Sequence, residues 1–329
     1  VSRLPRALST RWLLLAAALS LPFVARAVEF SFLTRVGGVV GLLMLLGLGL
    51  NVTLGYVGLF DLGFIAFYAI GAYATAILMR AHVPAPFAIA AAVAIAAAAR
   101  LALGLTILRL RGDYLAVVTM GFGEIARLTF NNLDALTNGP KGLQVRNWRP
   151  LAFLGAWGPL SFIRKESDVQ FYFLIVAAVF LAAEASRRLE DSRVGRAWVA
   201  IREDEIAARL SGIPVQEYKL LAFTLSAVFA GLAGALFAVW DQFVTPESFV
   251  FWESILIVSI VVLGGMGSIA GVLLGALILG GVPMLMQATL SPRWIDYRYL
   301  FFGLILVLVT LLRPQGLWPS SRREAELSS

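Results

Sequence analysis

Cysteine is absent from this chain, histidine occurs once, and charged residues make up only 14% of its 329 positions. Without cysteine there is no disulfide, no thiolate metal centre and no thiol nucleophile. His82 stands in a loop flanked by Pro84 and Pro86, with no second histidine to share a metal, which is the ordinary setting of a structural histidine. The G-x-x-x-x-G-K-[ST] pattern that cradles nucleotide phosphates is missing, so the chain cannot by itself hold ATP in a P-loop. Zinc, serine-triad and dinucleotide signatures are missing too. A membrane enzyme is left without a visible catalytic constellation, and neither metal nor cofactor is expected in this chain.

What the chain has instead is oil. Hydrophobic residues make up 60% of it, and the mean hydropathy is +0.84. Several runs are long enough to cross a hydrocarbon core, which takes about 20 apolar residues per helix. These runs are rich in Ala, Leu, Val and Gly and do not alternate, which favours helices over a barrel. The net charge of +7 comes from Arg-rich loops and is read as membrane orientation, not as nucleic-acid binding. The expected class is an all-α polytopic membrane protein with about ten crossings.

Taken in order, Arg3, Arg6 and Arg11 precede an apolar run at 12–25. That pattern also fits a signal peptide, because Ala25, Arg26 and Ala27 imitate a small-residue cleavage site; an uncleaved first helix is the expectation. The run 36–50 leads into Asn51, Thr53, Gly55, Gly58, Asp61 and Gly63. Such an interruption releases backbone groups that lipid cannot satisfy, so it belongs where protein or a water-filled path covers it. A tight turn at the membrane surface explains the same residues. Further spans are expected at 64–79, 87–108 and 114–130. The last carries Thr119, Glu124 and Arg127, the two charges lying three apart on one helix face. An intramembrane pair of this kind marks a transport pathway or fixes helix register. A long polar loop at 131–170, with Trp148 and Trp157, is placed outside. After a span at 171–186 and the polar stretch that follows it, 220–240 carries Ala230, Gly231, Ala233, Gly234 and Ala235, small residues suited to close helix packing. The runs 254–263 and 269–290 flank a second glycine break at 264–268, and whether the first crosses fully or re-enters stays open. The last span is 299–312. Two glycine breaks hint at a duplicated architecture, but their spacing is unequal.

The densest run of charge is 187–219. Val194, Ala197, Trp198 and Ile201 share one helical face, while Ile206 and Leu210 point about 120–160° round from Val194. Two short amphipathic pieces meeting near 202–205 are therefore expected, with Gly212 as a C-terminal stop and Pro214 forbidding continuation. The stretch is either a solvated loop or a docking surface whose apolar stripe a partner groove would cover. Placing it inside together with both termini agrees with the positive-inside rule.

Several motifs taken together resemble one family. They are Gly55, Tyr56, Gly58, Leu59, Gly63 and Gly71, Ala72, Tyr73; Arg111, Gly112, Asp113, Tyr114 leading to Gly121, Phe122, Gly123, Glu124, Ile125; the stretch 192–212; and Leu312, Arg313, Pro314, Gln315, Gly316, Leu317. Across nearly its whole length after the first helix, the chain is similar to LivM-type permeases of ATP-binding-cassette importers for branched-chain amino acids. That resemblance implies the importer permease fold as one transmembrane domain, 1–329. Its parts would be N-terminal helices within 12–186, a cytoplasmic coupling loop at 187–219, C-terminal helices at 220–313 and a cytoplasmic tail at 314–329. It implies a bacterial inner-membrane location and four kinds of contact: a LivH-like sister permease, two cytoplasmic LivG/LivF-like ATPase subunits that use the ATP, a periplasmic solute-binding protein, and lipid.

In such importers a loop with an EAA-like pattern and a downstream glycine couples to the ATPase. Glu205, Ala207, Ala208 and Gly212 fall on that pattern, with Ile206 inserted, and Trp198 and Ile201 complete the expected coupling surface. The segment Thr137 to Gly142 follows a family-like Thr-Gly-Gly-Pro-Asn-Gly run but departs from it at Asn138 and Lys141. An amino-acid cargo needs an apolar lining with a few polar groups near broken helix ends, for which Asn51, Asp61, Thr119 and Glu124 are the candidates. Two other cargo or energy readings stand beside this one. One is an importer for urea, short amides or other small acids. The other is an ion-coupled secondary transporter with Asp61 or Glu124 as its ion site.

Overall fold

The computed structural model describes residues 18–26, 32–110, 113–148, 150, 167–289, 303–304, 307, 311–313 and 315–319. Residues 18–26 are helical. Helix α1 (Phe32–Leu50) continues without a break into a π-helical stretch, Asn51–Val57. Together they form a 26-residue apolar rod whose most apolar window is 83% buried, against 28% for the later span Ala85–Ile107. The first is therefore the central helix of the bundle and the second lies at its periphery.

The expected interruption falls later than the first polar residues suggested. Asn51 and Thr53 lie inside the π-helical stretch, and the chain leaves helical geometry only at Gly58, whose φ of 78° is left-handed. The segment 58–64 then leads into α2 (Ile65–Arg80). At 1.5 Å per residue its 16 residues rise about 24 Å, short of the roughly 30 Å hydrocarbon core. Much of the break is covered by protein: Leu59, Asp61 and Gly63 are buried, while Gly58 and Phe60 are exposed.

Helix α3 (Ala85–Ile107) starts with Pro86 in its first turn, where no N–H is missed. Its buried stripe is Ala88, Ala92, Ala96, Arg100 and Gly104, at four-residue spacing. Helix α4 (Asp113–Asn132) and the single turn α5 (Asp134–Thr137) lead to a 3-10 turn, Gly139–Lys141. Helix α6 is Ser167–Asp191, so the polar tail 187–191 is the last turn of a long helix rather than part of a loop. Two short helices, α7 (Arg193–Glu203) and α8 (Glu205–Leu210), precede α9 (Val215–Asp241). Then come α10 (Phe251–Gly264), α11 (Ile269–Ala276), a π-helical stretch Leu277–Gly281 and α12 (Val282–Thr289).

The expected small-residue packing is present between α2 and α9. A methyl group on Gly71 would strike the carbonyl of Gly231, and one on Gly234 would strike the carbonyl of Tyr68. Backbones this close gain dispersion contacts that lipid, as apolar as leucine, could not supply by the hydrophobic effect alone.

The all-α class holds with one small addition. β1 (Leu143–Gln144) and β2 (Phe243–Val244) pair antiparallel and tie the segment after α5 to the segment after α9. Among the described residues, six helical stretches are long and apolar enough to cross a membrane: Phe32–Val57, Ala85–Ile107, Asp168–Asp191, Val215–Asp241, Pro246–Gly264 and Ile269–Met286. In Pro246–Gly264 a 3-10 turn, Pro246–Phe249, precedes the 14 α-helical residues of α10. The first part of the expected crossing at 12–25, most of that at 299–312, and much of the loop 131–170 with Trp157 lie outside the described residues.

Candidate functional site

The charged stretch folds as two helices with separate caps. Ser192 accepts the N–H groups of Val194 and Gly195 at 3.1 and 3.2 Å and starts α7. Asp204, in an extended conformation, accepts those of Ile206 and Ala207 at 2.7 and 3.0 Å and starts α8. These bonds satisfy donors that a helix start leaves unpaired. The expected junction near 202–205 is this cap. After Leu210 the chain turns through Gly212 at φ 83°, a conformation that a Cβ disfavours, and Pro214 precedes α9.

The apolar stripe of α7 does not face outward. Trp198 is fully buried and Ile201 nearly so. The Trp198 ring lies parallel to that of Tyr56 at 6.3 Å, and its Nε1–H donates to the Tyr218 carbonyl at 2.9 Å. The Tyr56 hydroxyl donates to Glu190 at 3.4 Å, and Arg202 donates to the Gly55 carbonyl at 2.6 Å. Arg202 also packs under Gly58. Within this chain Tyr56, from the end of the central helix, covers the stripe on which Trp198 and Ile201 were expected to couple. Ala208 is buried as well, whereas Ala207 is exposed. The exposed apolar residues are Ile206 (67%) and Leu210 (84%) on α8. Glu205 reaches Lys219 on α9 at 2.6 Å and Arg209 at 3.2 Å, so it ties α8 to the next membrane helix.

The pathway candidates separate into two places. Asn51 is buried and accepts the Gly267 N–H at 2.8 Å, clipping the end of α1 to the second glycine break. That break is closed from the other side by the C-terminal motif, where Leu317 and Trp318 donate to the carbonyls of Leu263 and Gly264 at 2.8 and 3.0 Å. Asp61, Thr119 and Glu124 come together around the first break. Thr119 accepts the Leu62 N–H at 3.1 Å, and Gly63 lies against the Thr119 carbonyl. Asp61 accepts the Gly63 N–H at 3.1 Å and pairs with Arg100. Asp61 and Arg100 are wholly enclosed, so Asp61 faces a cation of its own chain and not an open path. The sequence reading missed Arg100; its place on the four-residue stripe of α3 was the available signal.

Glu124 and Arg127 form the expected pair on α4, with contacts of 3.1 and 3.2 Å, but both stay partly exposed, at 45% and 26%. Glu124 borders a narrow crevice with Leu62, Ile65, Met120, Gly123, Phe249 and Phe251. The same face of α4 shows Tyr114, Val117, Ile125 and Leu128 to the outside. It is thus an apolar, glycine-bearing surface with one ion pair partway along its length. At the centre of a bilayer an ionisable group costs on the order of 3 kcal/mol, and α4 is not among the described helices long and apolar enough to cross by composition, so this surface suits a wet path or a protein neighbour.

A broken central helix, a polar stretch clamped to its end and an outward face of α4 with one ion pair can be set beside the chain's relatives. Residues 32–310 match the family described as branched-chain amino acid transport system, permease component. The chain is 40% identical, over 96% of its length, to the high-affinity branched-chain amino acid transport system permease protein LivM of Escherichia coli K12, and covers 76% of that protein. It is 32% identical to the LivH permease protein of the same kind of system in Salmonella typhimurium, over 56% of this chain and 58% of that one. It is 37% identical to the ribose import permease protein RbsC of Escherichia coli K12, over 32% and 34% of the two chains. No solved structure matches at comparable significance. Since the matched span contains every helix from α1 to α12, the chain belongs to the branched-chain amino acid permease family of multi-pass membrane proteins.

Proposed function

We propose that this chain is one of two permease halves of an importer that carries branched-chain amino acids across the bacterial inner membrane. The energy comes from ATP hydrolysed on two separate cytoplasmic subunits, and a periplasmic binding protein delivers the cargo. The second half is a sister permease of the LivH kind. Both termini and the stretch 187–219 face the cytoplasm, and the full chain makes about ten crossings within one transmembrane domain.

The observation that carries this reading is the joining of α7 and α8. Helix α8 offers Ile206 and Leu210 to the outside, and one capped residue away α7 is held by Tyr56, Gly55 and Tyr218. An apolar grip on α8 therefore moves the end of the central helix. Trp198 and Ile201 act in coupling from within, as the fixed arm of this lever, while Glu205, Ala207, Ala208 and Gly212 shape its free arm. Cargo passes along the Glu124 face of α4, which fronts the sister permease. Thr119, on the buried side of α4 away from Glu124, holds the break to that helix, and Asn51 clips the preceding stretch to Gly267. ATP can drive such a cycle only if its binding favours one lever position over the other.

The reading is tested in proteoliposomes containing the assembled complex, with labelled leucine and the binding protein outside. Uptake is expected to require the ATPase subunits and to survive collapse of the proton gradient. Uptake that proceeds without the ATPases and stops on collapse would make the chain a secondary transporter. Urea or a short amide moved in place of leucine would replace the cargo and leave the mechanism.

A further inference from the structure

The ion pair between Arg100 and Asp61 joins more of the molecule than two residues. Arg100 comes from α3 and Asp61 from the break after α1. The guanidinium lies 3.4 Å from the Phe223 ring centre on α9 and 4.4 Å from that of Phe67 on α2. Its Nε–H donates to the Phe223 carbonyl at 3.3 Å, and its Nη1 finds no partner among the described residues. A buried pair of this kind seldom stabilises a fold more than well-packed apolar side chains of the same volume would. Stability therefore does not account for placing two full charges here.

Position does account for it. The segment that carries Asp61 touches the lever at one end, through Arg202 on Gly55 and Gly58. At the other end it touches the inner face of α4, through Leu62 and Gly63 on Thr119. We infer that Arg100 and Asp61 are positioning residues for transport: they pin the break to α2, α3 and α9, so that a displacement of α7 reaches α4 instead of being absorbed in a loose loop. The inference rests on the import reading above, in which α7 is driven from the cytoplasm.

The test separates a structural pair from a transmitting one. The double variant Asp61→Ala/Arg100→Met removes both charges, and its fold is followed by thermal unfolding. In the complete complex in proteoliposomes, the expected result is a folded, assembled protein that hydrolyses ATP but moves at least about fivefold less leucine per ATP, the lower end of ordinary coupling between sites. A wild-type ratio of leucine to ATP in that variant overturns the inference. Should the double variant not fold, Arg100→Lys decides: it keeps the charge and loses the bond to the Phe223 carbonyl. A reduced ratio then supports transmission, and an unchanged one overturns it. If the wild-type complex itself moves no amino acid, the import reading fails on its own. The pair is then judged in the isolated chain by spin labels placed at Glu203 and Gly121. A distance distribution that broadens in the variant supports pinning, and one that stays the same refutes it.

Discussion

Ile201 and Ile206 are five residues apart, chemically identical and both on short amphipathic helices, yet one is 4% exposed and the other 67%. The difference comes from Asp204. Its extended backbone, φ −153° and ψ 111°, redirects the axis between α7 and α8, so the first stripe meets Tyr56 and Tyr218 while, among the described residues, the second stays largely exposed. Helical period tells which residues share a face. It does not tell whether that face turns toward its own bundle or toward a partner. The two halves of one polar stretch therefore do different work, one as an anchor and one as a handle.

The comparison breaks most completely at Trp198. Trp198→Ala empties the space against Tyr56 and removes the donor to the Tyr218 carbonyl, and truncations of this size cost about 3–5 kcal/mol. The purified chain should show a sharply lower melting temperature and poor yield. If it melts like the wild type, α7 is not an anchor. Next comes Glu205→Ala, which takes from Lys219 its carboxylate at 2.6 Å. Lys219 is nearly buried but Glu205 is about a third exposed, so the loss is held to about 1–2 kcal/mol. Gly212→Ala should cost roughly 1 kcal/mol, because a Cβ is strained at φ 83° although open space surrounds it. Equal unfolding curves for Gly212→Ala and wild type would show that the turn after α8 tolerates any residue.

How much of this could be read in advance follows from how local each signal is. The junction near 202–205, the stop at Gly212 and the small residues of α9 are written within a few positions of where they act, and they were legible. The facts that decide the site are not local. Asp61 finds Arg100 from 39 residues away and Asn51 finds Gly267 from 216 away. No periodicity in either segment names the other. Arg100 was passed over within the span expected at 87–108, although it sits in the buried register set by Ala88, Ala92 and Ala96. The two-residue strands 143–144 and 243–244 are too short to show any alternation. Trp198 was placed on one apolar face with Val194, Ala197 and Ile201, but the direction of that face depended on Tyr56, a residue of a different helix.

The smallest expected effect on stability is the most informative about the handle. Leu210→Asp changes a side chain that is 84% exposed, and exposed substitutions away from caps and cores usually stay within about 0.5 kcal/mol. The chain alone should therefore unfold as the wild type does. In the assembled complex the same change puts a charge where an apolar groove is expected to close, and a desolvated charge without a partner is costly. Co-purification of the ATPase subunits should be lost while the fold is kept, the reverse of the pattern expected for Trp198→Ala. Because the chain has no cysteine, a single Leu210→Cys reports the side of the membrane with no background. A membrane-impermeant thiol reagent should modify it in inside-out vesicles and leave it untouched in right-side-out ones, whereas Ile201→Cys should react in neither. Modification of position 210 from the outside would turn the handle toward the wrong compartment for an ATP-driven grip, whatever the stability data said.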